Sequence, residues 1–252
     1  MWSRDSGFRE FDARVEAAGD DAAALGAALL DRGLVRLAAG AFEDAQSDQD
    51  AAGDVLHEAG HREAAALAAS VASLTARLHG DLDGAVARAL FARGWAPPET
   101  MASVAGQIAV AESAMDAGDL GPGMWAYVQA TNVFGDAGLG EDTRDALAAY
   151  SDWLNEADNA DHRPPTPDLT GRQAAPHLVD AVGRAVLGQI PVDRLDTENT
   201  TENTTASATE DPLGHAAVAA TRAVLHFRLD HGRQAAEAIV DAHLLGATVP
   251  PT

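Results

Sequence analysis

Large apolar residues recur every three or four positions along most of this chain. Leu25, Leu29, Leu30, Leu34 and Leu37 make one stripe over 22–39, and Leu67, Val71, Leu74 and Leu78 make another over 62–79. That spacing keeps one face of a helix apolar. Gly40 and Gly80 close these stripes, and return helices are predicted over 41–58, ended by Gly60, and 81–93, ended by Gly94 and Pro97-Pro98. A third pair, 99–117 and 122–137, turns at Gly118. Phe8, Phe11 and Val15 mark a lead-in helix over 6–19, and Leu147, Tyr150 and Leu154 mark one over 141–158. Beyond Pro164, Pro165 and Pro167, a helix is predicted over 171–188, interrupted early by Pro176, and a last hairpin over 212–230 and 233–245. The alternating pattern of half-buried strands is missing, so the expected class is all-α.

The turn glycines Gly40, Gly80 and Gly118 are 40 and 38 residues apart, and the positions around them repeat. Seven residues before them stand Gly33, Ser73 and Ala111; five after, Ala45, Ala85 and Gly123; twelve after, Ala52, Ala92 and Ala130. Small residues at fixed offsets let paired helices cross closely. Phe42, Leu82 and Leu120, two residues past each turn, are placed to plug the closed end of each hairpin. With Asp230 in the turn position, Ala223, Ala235 and Ala242 fall on the same offsets in the last hairpin.

Gly-Ala-Phe-Glu-Asp-Ala at 40–45 and Gly-Asp-Leu-Asp-Gly-Ala at 80–85 resemble the turn and second-helix start of the tetratricopeptide repeat. The likeness covers about residues 22–137. It departs from the family in its longer period, in Gln49 and Ala89 where an aromatic is usual, and in Gly121-Pro122 inside the third return helix. The resemblance implies antiparallel hairpins stacked as a short α-solenoid over 1–158 with a capping helix. A Pro-rich linker (159–170), a helix (171–190), a disordered acidic Thr-rich loop (191–211) and a C-terminal hairpin (212–252) are expected to follow.

Composition narrows the function classes. There are 39 acidic residues against 17 basic ones, all of them Arg, for a net charge of −22. Such a field repels nucleic acid and anionic membranes. Excess carboxylate without Lys resembles the proteins of salt-adapted archaea, so the acidity is expected to be a solvent adaptation, in a cytoplasmic protein. With no Cys, thiolate catalysis and Cys-ligated zinc are excluded.

His57-Glu58-Ala59-Gly60-His61 satisfies H-E-x-x-H, the motif in which two histidines one helical turn apart bind zinc and the Glu acts as general base. It would make His57 and His61 ligands and Glu58 the base of a metallopeptidase. The repeat register argues otherwise, placing Gly60 at a junction between helices. No cofactor is expected.

The register instead assigns an inner groove to Leu30, Leu34, Leu37, Ser70, Leu74, Arg77, Ile108, Glu112 and Met115. That groove is mostly apolar, which suits an amphipathic helix, either from a partner or from the chain's own C-terminal segments. The expected function is a non-enzymatic adaptor or regulatory module whose groove or outer helices bind a protein segment or a second copy. The zinc peptidase is the alternative.

Overall fold

The structure, a computed structural model, describes residues 4–156, 166–195 and 211–244. Among these it is all-α, with eleven helices: α1 (Arg4–Ala18), α2 (Ala22–Ala38), α3 (Phe42–Glu58), α4 (Arg62–Leu78), α5 (Leu82–Trp95), α6 (Met101–Asp116), α7 (Leu120–Ala137), α8 (Glu141–Asn155), α9 (Pro176–Val186), α10 (Pro212–Arg228) and α11 (Gly232–Leu244).

Consecutive helices pack as hairpins into a solenoid-like stack, with α2, α4 and α6 as the inner row and α3, α5 and α7 as the outer row. The predicted small residues are where the rows cross. A Cβ on Gly33 would stand 3.3 Å from the Ala45 carbonyl oxygen, and one on Gly123 3.0 Å from that of Ala111. In the middle hairpin the Ser73 hydroxyl donates to the Ala85 carbonyl at 2.9 Å. Ala52, Ala92 and Ala130, the third small position, are fully buried.

The α2–α3, α3–α4, α4–α5, α6–α7 and α10–α11 connections close with the same backbone bond, a 6→1 bond that satisfies an orphan carbonyl of the helix end. It runs from Ala41 N–H to Arg36 O, His61 to Leu56, Asp81 to Ala76, Asp119 to Ala114 and His231 to His226. In the last hairpin Asp230, at φ +59°, stands in the left-handed position that glycine fills elsewhere.

The C-terminal hairpin α10–α11 lies along the inner row: α10 packs on α2 and α4, and α11 on α6. Helix α9 packs beside it on α2 and α10. The segment 166–175 ties this arrangement down, crossing the C-terminal ends of α6, α4 and α2 in turn. Thr166 N–H donates to Asp116, Leu169 N–H to the Leu78 carbonyl and Ala174 N–H to the Ala38 carbonyl. Asp211 accepts from Gly214 N–H, capping α10, and from Ala175 N–H, pinning the strap to it.

Several expectations need correction. Gly94 lies inside α5, which ends at Trp95 because Ala96, ahead of Pro97, is extended. Pro122 sits in the first turn of α7, where its missing N–H costs nothing. The helix expected from 171 begins at Pro176, so that proline starts the helix instead of interrupting it. Of the expected linker (159–170), residues 166–170 are bonded to the stack, 171–175 extend that strap ahead of the helix, and Val192 and Leu195, within the expected disordered loop, are buried. The rest of the expected linker (159–165), most of the expected acidic loop (196–210) and 245–252 lie outside the described residues.

Candidate functional site

The nine groove residues are brought together on the inner row, and all nine are buried. What covers them is the chain itself. Arg77 of α4, its side chain fully enclosed, is at the centre of the contact. Its Nε donates to Asp116 at 2.9 Å, and its Nη2 to Glu112 at 2.8 Å and to the Thr166 hydroxyl at 2.5 Å. Its Nη1 reaches the His243 carbonyl at 3.2 Å and His243 Nδ1 at 3.3 Å. Glu112 also accepts from the Tyr127 hydroxyl.

Because Arg77 has only protons to offer, His243 Nδ1 must accept. Nε2 then carries the ring proton toward Ser70 Oγ, 3.0 Å away, and Ser70 donates onward to the Ala105 carbonyl. Full burial, with the Arg77 charge alongside, holds the His243 imidazole well below its ordinary range; the Ser70 contact opposes this and is outweighed. At the other end of the hairpin Arg228 of α10 donates to Asp31 of α2 at 2.6 Å and to the Ala27 carbonyl. Burial raises the Asp31 carboxyl above its usual range, with Arg228 and Arg14 opposing. Sequence spacing put the nine residues on one row; that Arg77 and Glu112 pair with each other and anchor an internal partner had no local signal.

The H-E-x-x-H residues sit elsewhere. Helix α3 ends at Glu58, Gly60 takes φ +84°, and His61 stands at the N-cap position of α4 without a side-chain capping bond. His57 and His61 therefore fall on different helices and share no face, which removes the geometry a zinc site needs. All three, His57, Glu58 and His61, are exposed. Among the described residues no three His, Asp or Glu side chains converge as a metal-binding group.

His57 instead stacks on Trp95, with ring centroids 4.5 Å apart, and Trp95 stacks on Phe91 at 5.4 Å. These rings border a cleft of about 430 Å³ on the outer row, between α3 and α5, lined by Gln49, Asp50, Asp54, Arg88, Phe91 and Trp95 among others. Gly53 makes room for it: a Cβ there would stand 3.2 Å from the Trp95 ring. Arg88 grips Asp50 through two nitrogens, at 2.9 and 2.7 Å, so its charge is matched. Gln49, fully buried, has no hydrogen-bond partner for either side-chain amide atom. Among the described residues, the exposed large hydrophobic side chains are Leu90, Phe91, Trp125 and Val128 of α5 and α7, with Leu229 elsewhere. The one sequence signal for this cleft was the departure from the repeat pattern at Gln49.

Comparison with known protein families, with curated proteins and with solved structures found no match.

Proposed function

We propose that the chain is a divergent tetratricopeptide-like interaction module, without catalytic activity, that docks a protein segment on its outer row. One observation carries this: the inner groove is occupied by α10–α11, while exposed apolar side chains gather on α5 and α7. Large apolar side chains left in water on two outer helices are what a protein partner would cover. No helix among the described residues is long and apolar enough to cross a membrane.

Phe91 and Leu229 are equally exposed, at 55%, but lie on the outer row and at the tip of the last hairpin. A photo-reactive phenylalanine at each position, illuminated in lysate of the source organism, separates the two surfaces. A discrete protein adduct from position 91 and none from 229 is the expected result. Adducts from neither, or the same set from both, count against the outer row.

The acidic, Lys-free composition fits a protein adapted to high salt, where screening relieves repulsion among carboxylates. Helicity that climbs steeply as KCl rises to molar concentrations supports that origin, and full helicity in dilute buffer refutes it.

A further inference from the structure

We propose that the cleft between α3 and α5 is a socket for an arginine side chain carried by the segment of another protein. The inference rests on the outer row being the docking face, and names the chemistry that face recognises. Three features of the cleft converge on a guanidinium with an apolar stem. Phe91, over half exposed and stacked on the half-buried Trp95, offers ring surface on which both a methylene stem and a planar cation pack. Asp54 is an exposed carboxylate that holds no hydrogen bond or ion pair among the described residues, so it is free to meet a cation. Gln49 supplies the third. A fully buried amide with both polar atoms unpaired is a standing cost to the fold, and the cleft it lines is where a partner for its oxygen would come from.

The charge balance agrees. Arg88, the one cation of the lining, is neutralised by Asp50 and lies 3.6 Å from Asp81, which leaves Asp54 as the uncompensated charge. An anionic ligand would meet Asp54 without relief. Lysine would satisfy the carboxylate but has no planar face for the rings and no fork to share between Asp54 and Gln49.

The probe is a blocked tripeptide, acetyl-Gly-Arg-Gly-amide, with lysine and citrulline analogues, titrated into the ¹⁵N-labelled full-length chain. Binding is read at the indole N–H of Trp95, assigned with Trp95→Phe. The arginine peptide should shift that signal saturably, the lysine peptide should bind several-fold more weakly, and citrulline, which keeps the shape but not the charge, roughly tenfold or more weakly. Asp54→Asn, at an exposed position that leaves folding intact, should weaken the arginine peptide by a similar factor.

Gln49→Met supplies a readout that a merely structural glutamine does not give. Removing the unpaired amide should raise the melting temperature while binding falls. A higher melting temperature with unchanged binding overturns the socket. So do equal shifts from arginine and lysine peptides spread over the acidic surface, or no saturable shift at Trp95. If the peptide fails while the position-91 adduct still forms, the outer row stands as the docking face and the arginine assignment falls; if both fail, both fall. An adduct of twice the chain's mass makes the occupant a second copy and likewise overturns the proposal.

Discussion

Helices α4 and α5 are the two arms of one hairpin, yet they meet opposite surroundings. Every residue of α4 from Ala65 to Leu78 is buried, including Ser70, Ser73, Thr75 and Arg77. Helix α5 buries only Ala85, Ala89 and Ala92, and turns Leu90 and Phe91 to solvent. A helix enclosed on all sides must satisfy its polar groups internally, and α4 does so through α6, α11 and the strap. A helix that rests on an alanine stripe can present its remaining faces to something else. The inner row is thus the middle of a core, and the outer row is the free surface.

Substitutions should separate the two rows. The largest effect is expected at Arg77: Arg77→Met strands Glu112 and Asp116 in the interior and should cost about 3–5 kcal/mol in denaturant unfolding. On the outer row, Arg88→Met removes a partly exposed pair and should cost no more than about 1 kcal/mol. Comparable losses would dissolve the distinction.

Next come two glycines with the same left-handed backbone. A Cβ on Gly40 would lie 1.9 Å from the Arg172 carbonyl of the strap, whereas one on Gly60 meets nothing within 4 Å. Gly60→Ala should therefore cost only the backbone penalty, about 1 kcal/mol, and Gly40→Ala more than about 2 kcal/mol because the strap must shift. Equal melting temperatures for the two variants would mean the strap is not seated there.

A smaller effect follows from His243. In the fold its imidazole stays neutral well below the ordinary value of 6.5, while in the unfolded chain it takes up a proton near that value. The unfolded chain then binds more protons, so stability is lost as pH falls below about 6.5, by up to about 1.4 kcal/mol per pH unit, and is unaffected by this group above it. Unfolding measured from pH 7.5 to 5.5 should show that slope, and His243→Gln should flatten it. Smallest is Phe91→Ala, which should change stability by less than about 1 kcal/mol because the ring is mostly in water.

Much of this architecture was legible from residue spacing. Glycines at 40, 80 and 118 and the small residues around them mark hairpin turns and crossings, and helix periodicity put Leu34, Leu74 and Ile108 on one face. Those cues are local. The partner of that face was not legible, because a stripe of leucines looks the same whether it meets a foreign helix or α11, and the strap at 166–175 carries no periodic pattern. Arg77 and Glu112, 35 residues apart, become a pair only once the stack exists. The H-E-x-x-H motif shows the same dependence on context: the four-residue spacing has meaning only on an unbroken helix, and Gly60 breaks this one.

The most direct test of the central claim, that the inner row is core and the outer row surface, uses the absence of cysteine. Ser70→Cys and Phe91→Cys each introduce a single thiol, whose reaction with a maleimide under native conditions reports access. Cys at 91 should label as fast as in unfolded chain, and Cys at 70 on the order of a hundredfold more slowly, since it waits for α10–α11 to open. Equal rates at the two positions would mean that the groove stands open and that the account is wrong.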